Sequence, residues 1–229
     1  MTASSGTSIA NRRTRFLFSA TIAGIVLYVI LDAVAQSLPP HYSLVSQAES
    51  DLAVGPYGYV MAINFVNRGV FSLLFLLGLA NALPARREYR RGFLLFGIWA
   101  VGAMVLAAAP ADVTPPATLH GVVHLLVAVL AFLGGAFGAL TLSRGFSNDT
   151  SLKMGLLMPL AVLAVTSLVI LYGATAVPRF DARYGGLLER VFLGLVLAWM
   201  LASSAAMLKR EGIKSRSSRP RIDGRGERQ

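Results

Sequence analysis

The sequence contains no cysteine and few charged residues. The absence of cysteine excludes disulfides, thiolate catalysis, iron–sulfur clusters and cysteine-ligated zinc. Charged residues make up 14% of the 229 residues, whereas a soluble domain carries roughly 25%. Hydrophobic residues make up 55%, and the mean hydropathy is +0.63. These values exclude a soluble globule and a disordered chain, and they predict a polytopic membrane protein.

Six apolar segments are long enough to cross a bilayer, for which about 20 residues are needed. They are Phe16–Gln36, Tyr57–Ala80, Phe93–Ala109, Thr118–Leu142, Met154–Val177 and Gly185–Leu208. Backbone polar groups must be satisfied internally in hydrocarbon, so each segment is predicted to be a helix. We expect an all-α bundle of six transmembrane helices at residues 16–208. A basic N-terminus at 1–15 and a disordered basic tail at 209–229 flank it.

The basic residues predict which side of the membrane each end occupies. Seventeen of the 21 Lys and Arg residues lie at the N-terminus, in the second and fourth connections, or in the tail. They are Arg12, Arg13, Arg15, Arg86, Arg87, Arg90, Arg91, Arg144, Lys153, Lys209, Arg210, Lys214, Arg216, Arg219, Arg221, Arg225 and Arg228. Short loops rich in Lys and Arg stay in the cytoplasm, so both termini are predicted to be cytoplasmic. We expect a multi-pass protein of a bacterial cytoplasmic (plasma) membrane.

The net charge of +10 is consistent with a membrane protein. Most of its basic residues lie at the N-terminus, in connections and in the tail, so we expect the lipid bilayer and no nucleic acid as partner. The tail is expected to contact anionic lipid head groups, at about 1 kcal/mol per basic residue near the surface. The simpler alternative is that the tail only fixes the orientation of the bundle. No pattern in the sequence indicates an oligomeric state.

Ionisable residues are rare in the predicted spans, and such residues usually face the bundle interior and mark function. They are Asp32, Arg68, His120, His124, Glu189 and Arg190. Most of them lie near the predicted outer ends of their spans. Asn64 and Arg68 share one face of the second span, and Tyr28 and Asp32 share one face of the first. We expect these faces to converge on one outward-opening cavity with Asp51 and Asp112 above it. The alternative is a structural network of ion pairs, Asp32 with Arg190 or Glu189 with Arg68.

His120 and His124 are spaced i, i+4 on the fourth span, so both imidazoles can bind one metal ion from one helix face. Asp112 is predicted to be a third ligand, and such a set with an open position suits zinc or another divalent metal. Further candidate ligands are Asp51, Glu189 and His41. The alternative is that each histidine hydrogen-bonds a carboxylate or the loop above it. Haem is disfavoured, because two histidines on one helix face cannot ligate opposite sides of an iron.

The chain resembles the bacterial and archaeal membrane family known as domain of unknown function 998. The elements that carry the resemblance are Tyr42-Ser43, Ser50-Asp51-Leu52, Asn64 with Gly69, Ala109-Pro110-Ala111-Asp112, His120-Gly121, His124, Gly186-Leu187, Glu189-Arg190 and Trp199. The resemblance covers about Phe16 to Leu208, the whole bundle. Ala109 stands where the family usually has Phe. The resemblance implies a six-helix integral membrane protein without a settled activity. It also implies a polar signature that consists of Asp51, Asp112, His120, His124 and Arg190.

Three hypotheses about function follow. The first is a metal-dependent hydrolase or transferase acting on lipid-like substrates, with Asp112, His120 and His124 at the metal. Its general base is predicted to be Asp51 or Glu189, and Arg190 or Arg68 is predicted to bind an oxyanion. Asp32, Asn64 and Arg68 are the predicted ligand-binding residues. The second hypothesis is a carrier or binder of a small molecule or ion, and the third is a structural accessory subunit.

Overall fold

A computed structural model describes residues 3–148 and 155–217 of the chain, and within these residues it is entirely helical. The helices are α1 (Ala3–Ser37), α2 (Gly58–Ala82), α3 (Arg87–Leu106), α4 (Leu119–Asn148), α5 (Leu157–Ala174) and α6 (Pro178–Ser217). A short 3₁₀ helix at Glu49–Ala53 interrupts the connection between α1 and α2. All six α-helices are long and apolar enough to cross a membrane, which confirms the predicted fold class.

Several helices continue beyond the predicted spans. The third begins at Arg87, six residues before the predicted start at Phe93. The first begins at Ala3 and the sixth continues to Ser217, past the predicted boundaries at 15 and 208. Arg, Lys and Glu are good helix formers, so a helix can extend past the hydrocarbon where hydropathy ends. Residues 149–154, with the predicted start of the fifth span, and residues 218–229 of the predicted tail lie outside the described residues.

The six helices form a closed ring in chain order. Each helix packs against the next, and α6 packs against α1. α3 and α4 approach each other closely, and a Cβ at Gly138 would lie 2.8 Å from the backbone nitrogen of Phe96. A Cβ at Gly134 would likewise contact the carbonyl oxygen of Leu95 at 2.5 Å. Small residues therefore allow these two helices to pack backbone against backbone.

Aromatic side chains fill the centre of the ring. Phe75 packs against Phe96 and Trp199, with ring centroids 5.7 and 5.5 Å apart. The indole of Trp199 donates to Ser143 Oγ at 2.8 Å, so its polar atom is satisfied inside the bundle. Many large apolar side chains are exposed on the outer surface, as expected where a helix bundle contacts lipid.

The two ends of the bundle differ in what they contain. Asn11 Nδ2 donates to the carbonyl of Glu211 at 3.2 Å, so the start of α1 and the end of α6 lie together. We call this the terminal end. The opposite end, which we call the distal end, carries the connections at residues 38–57, 107–118 and 175–177. We call residues 38–57 the distal loop.

Candidate functional site

The distal loop folds back onto the start of α6 through backbone hydrogen bonds. Arg190 Nη1 donates to the carbonyls of Leu44 at 3.2 Å and Gln47 at 2.7 Å. The Glu189 carboxylate accepts the backbone N–H of Glu49 at 3.0 Å. A Cβ at Gly186 would overlap the backbone of Gln47, so only glycine allows this approach. Arg190 and Glu189, predicted to be catalytic, thus both hold the loop in place.

The folded loop places Glu49 inside the bundle. Its side chain is buried between α1 and α2, where Tyr28 donates a hydrogen bond to Oε1 and Arg68 Nη1 lies 3.9 Å from Oε2. That separation exceeds hydrogen-bond length. Burial raises the pKa of Glu49 to about 8, because desolvation outweighs the opposing effect of Arg68. Near neutral pH the buried carboxyl therefore holds its proton for much of the time.

Arg68 is almost completely buried, with 1% of its surface exposed. Its guanidinium lies over the rings of Phe65 and Trp99, at 5.2 and 4.8 Å from their centroids. Such contacts stabilise a desolvated cation. Two of its nitrogens, Nε and Nη2, have no hydrogen-bond partner among the described residues. Arg68 is consequently a buried cation whose donors are only partly used by the chain.

Two predicted ligand-binding residues have structural partners on α1 instead. Asn64 Nδ2 donates to the carbonyl of Tyr28 at 3.1 Å and so joins α2 to α1. Asp32 accepts a hydrogen bond from Gln36, one turn further along the same helix. The predicted alternative pairs, Asp32 with Arg190 and Glu189 with Arg68, do not occur among the ion pairs of the described residues. Arg68 is paired with Glu49, a loop residue.

The predicted metal residues surround the start of α4. Asp112 accepts two hydrogen bonds from Thr118, from the backbone nitrogen at 2.7 Å and from Oγ1 at 2.8 Å. These bonds lower the pKa of Asp112. Thr118 Oγ1 in turn accepts the N–H of Gly121 at 3.1 Å, which caps the helix. Asp112 and its partner therefore stabilise the first turn of α4, and a Cβ at Gly121 would overlap the carboxylate.

The two histidines have different environments. His120 is exposed, whereas His124 is buried, and its Nδ1 lies 2.7 Å from the carbonyl oxygen of Ala109. A carbonyl can only accept, so Nδ1 carries the hydrogen and Nε2 faces away from this bond. Within the described residues no three His, Asp or Glu side chains form a group that could hold a metal. Metal binding by Asp112, His120 and His124 stays a prediction.

A cavity of about 250 Å³ opens at the distal end between α4 and α5. Its polar wall consists of Ser50, Arg68, His124, Tyr172, Thr175 and Glu189. The remaining wall is mainly apolar and includes Phe65, Leu106, Leu125, Ala128, Val129, Phe132 and Leu171. The hydroxyl of Tyr172 is buried without a hydrogen-bond partner in the described part of the chain. The cavity thus joins a polar end, with Arg68 in it, to an apolar passage between two helices.

Three of the predicted site residues, Arg68, His124 and Glu189, meet at this cavity. Burial raises the pKa of the half-buried Asp51, which lies in the distal loop. The other six predicted site residues do not line the cavity; they are Asp32, Asp51, Asn64, Asp112, His120 and Arg190. Sequence reasoning did not single out Glu49 or Tyr172. The fifth span also contains the hydroxyl residues Thr166, Ser167 and Thr175, so no signal in the sequence set Tyr172 apart.

Six long apolar helices among the described residues define a multi-pass membrane protein. The chain belongs to the family described as protein of unknown function (DUF998), whose model matches residues 22–206. The resemblance found in the sequence is therefore confirmed. No curated protein matches the chain, and no solved structure matches it.

Proposed function

We propose that this protein binds an amphipathic molecule with an anionic head group in the cavity between α4 and α5. The observation that carries the proposal is Arg68, a buried cation with two unpartnered nitrogens in the described structure, at the wall of that cavity. Guanidinium nitrogens bind carboxylates and phosphates through paired N–H donors. A carboxylate or phosphate head is the ligand that would use both free nitrogens.

The charge balance around Arg68 supports an anionic head. Glu49 is the nearest carboxyl to the guanidinium, and its pKa of about 8 leaves it largely protonated near neutral pH. Glu189 also lines the cavity, but it forms no ion pair with Arg68 among the described residues. The positive charge of Arg68 is therefore incompletely neutralised by the chain, which favours an incoming anion.

The apolar part of the cavity supports a long alkyl chain. Leu125, Ala128 and Val129 of α4 face Leu171 of α5 across the opening. Both helices have exposed apolar faces of the kind that contact lipid. A molecule already dissolved in the bilayer can therefore place its head at Arg68 while its chain stays in an apolar environment. The metal-dependent reaction predicted from the histidine pair gains no support here, because Asp112 and His120 do not line this cavity.

The test uses the tryptophan that contacts Arg68. The chain has two tryptophans, so a Trp199→Phe background leaves Trp99 as the fluorescent probe. We expect a brominated long-chain fatty acid to quench Trp99 in detergent-purified protein at far lower concentration than the brominated alcohol or amine of equal length. Arg68→Gln should weaken binding of the acid about ten- to hundredfold. This loss corresponds to the free energy of a hydrogen bond to a charged group.

A second variant keeps the test decisive if Arg68→Gln fails to fold. Ala128→Phe fills the apolar passage and leaves Arg68 in place. It should therefore weaken binding of the brominated acid, while the thermal unfolding temperature stays close to that of wild type. Ala62→Phe on α2 is the matched control, because Ala62 is half-buried and does not line this cavity. Equal quenching by acid and alcohol, or stronger binding of the amine, would contradict the proposal.

A further inference from the structure

A second cavity lies at the terminal end, where α2 turns into α3. It measures about 310 Å³ and is lined by Leu83, Pro84, Arg86, Tyr89, Arg90 and Phe93. Tyr89 already donates its hydroxyl to the carbonyl of Gly145 at 3.3 Å, so it serves as a wall. Arg86 and Arg90 are the charged groups of this cavity; Arg86 directly precedes α3, and Arg90 lies in its first turn.

The two arginines are available to an anion. The Arg86 guanidinium lies 3.4 Å from Glu88, and both side chains are substantially exposed, so this ion pair is weak and replaceable. No carboxylate pairs with Arg90 in the part of the chain that the structure describes. Neither arginine is used by the cavity at the distal end, so this cluster is independent of the function proposed above.

An apolar groove of about 530 Å³ begins where this cavity ends. Phe93 lines both. The groove continues along α3 past Leu94, Gly97, Val101 and Val105, with Val127 and Leu130 of α4 on its other side. No atom lies within 4 Å of a Cβ built at Gly97, so the missing side chain leaves the groove open. Phe93 and Val105 are about 18 Å apart along the helix, slightly more than the roughly 15 Å of one leaflet's hydrocarbon.

We propose that this continuous surface is a binding site for one anionic phospholipid. Arg86 and Arg90 contact its phosphate head, and one acyl chain lies in the groove past Phe93 and over Gly97. A basic cavity at the membrane interface recognises anionic head groups, and a groove lined by apolar side chains accommodates an alkyl chain. A free phosphate would use the same arginines but not the groove, so the two sources can be separated by experiment.

The experiment counts lipids retained by detergent-purified protein in native mass spectrometry. Phosphatidylglycerol and phosphatidylcholine with identical acyl chains are supplied at equal concentration. We expect each protein to retain one phosphatidylglycerol molecule in preference to phosphatidylcholine. Arg86→Gln/Arg90→Gln should weaken that retention about thirtyfold, as two basic residues at a lipid surface would. Glycerol phosphate, which has no acyl chain, should not compete.

Matched variants separate this site from general charge attraction. Arg87→Gln/Arg91→Gln removes the same charge from two exposed residues that do not line the cavity, and we expect it to retain the lipid. Gly97→Leu fills the groove without changing charge, and we expect it to lose the lipid. Equal retention of both lipids would overturn the proposal. So would equal loss in the two arginine pairs, full retention by Gly97→Leu, or competition by glycerol phosphate.

Discussion

Arg68 and Glu49 form a buried pair in which the cation is better stabilised than the carboxylate. The cation is stabilised by the faces of Phe65 and Trp99. The carboxyl has one hydrogen bond, from Tyr28, and its distance of 3.9 Å from Arg68 gives it no direct bond to the cation. Desolvation therefore dominates at Glu49 and raises its pKa to about 8, so the pair carries net positive charge near neutral pH.

This pair predicts a pH-dependent effect of Glu49→Gln on stability. The native pKa of about 8 lies above the ordinary value of 4.5, so the native state binds more protons between these values and wild type loses stability as pH rises. Glutamine keeps an acceptor for Tyr28 and does not titrate. The variant should therefore gain stability relative to wild type across this window, by at most about 1.4 kcal/mol per pH unit.

Thermal unfolding in detergent at a series of pH values measures the difference. The control is Glu88→Gln, since Glu88 is exposed beside Arg86 and lies in no buried cluster. We expect the stability difference between Glu49→Gln and wild type to widen from about pH 5 to about pH 8. Parallel profiles for these two proteins would show that Glu49 does not hold its proton in the folded state.

The sequence predicted one half of this pair. An arginine inside an apolar span is conspicuous, because an intramembrane charge is costly and must face the bundle interior. Glu49 stands between Gln47 and Asp51 in a polar segment and has no such signature. Its burial follows from the docking of the distal loop, which involves carbonyl groups that any residue would supply. Single-sequence reasoning therefore located the cation and could not identify its partner.

At the start of α4, Asp112 of the predicted polar signature stabilises the end of a helix. Asp112 accepts both hydrogen bonds that Thr118 donates, and Thr118 caps the helix. A carboxylate beside a helix N-terminus also interacts favourably with the helix dipole. Gly121 leaves room for that carboxylate. Asp112, predicted from sequence to be a metal ligand, thus shares a structural role with Gly121 at this helix end.

A double-mutant cycle tests this role. Gly121→Ala alone should destabilise the protein, because the new Cβ would overlap the Asp112 carboxylate. In an Asp112→Ala background the same change should be neutral or should stabilise by up to about 1 kcal/mol, the helix propensity of alanine over glycine. Chemical or thermal unfolding in detergent gives the four stabilities. Additive effects of the two changes would mean that the carboxylate and Gly121 do not interact.

Helix positions were predictable where the bilayer dictates them. An apolar run of suitable length must be helical in hydrocarbon, so all six helices were found from hydropathy. Helix ends outside the hydrocarbon follow other rules. The early start of α3 at Arg87 and the late end of α6 at Ser217 occur in charged stretches with good helix propensity but low hydropathy.

For the whole molecule, the ring of helices separates two chemically different ends. The distal end contains the buried Arg68 cluster and the cavity between α4 and α5. The terminal end contains Arg86 and Arg90 at the head of the α3–α4 groove. Residues of α4 line both the distal cavity and the α3–α4 groove, so a bilayer could supply a ligand to each from a different leaflet. The orientation of the bundle in the membrane determines which leaflet lies beside each opening.

The excess of Lys and Arg at the terminal end predicts that this end is cytoplasmic. We expect green fluorescent protein fused to the C-terminus to fluoresce, and alkaline phosphatase inserted at Val113 of the distal end to be active. Phosphatase inserted at Ala85, in the basic connection before α3, is the control that should be inactive. The opposite pattern would contradict the prediction and would assign the Arg68 cavity to the inner leaflet. The expected pattern assigns that cavity to the outer leaflet, so its ligand must be sought among amphipathic acids that reach the outer surface.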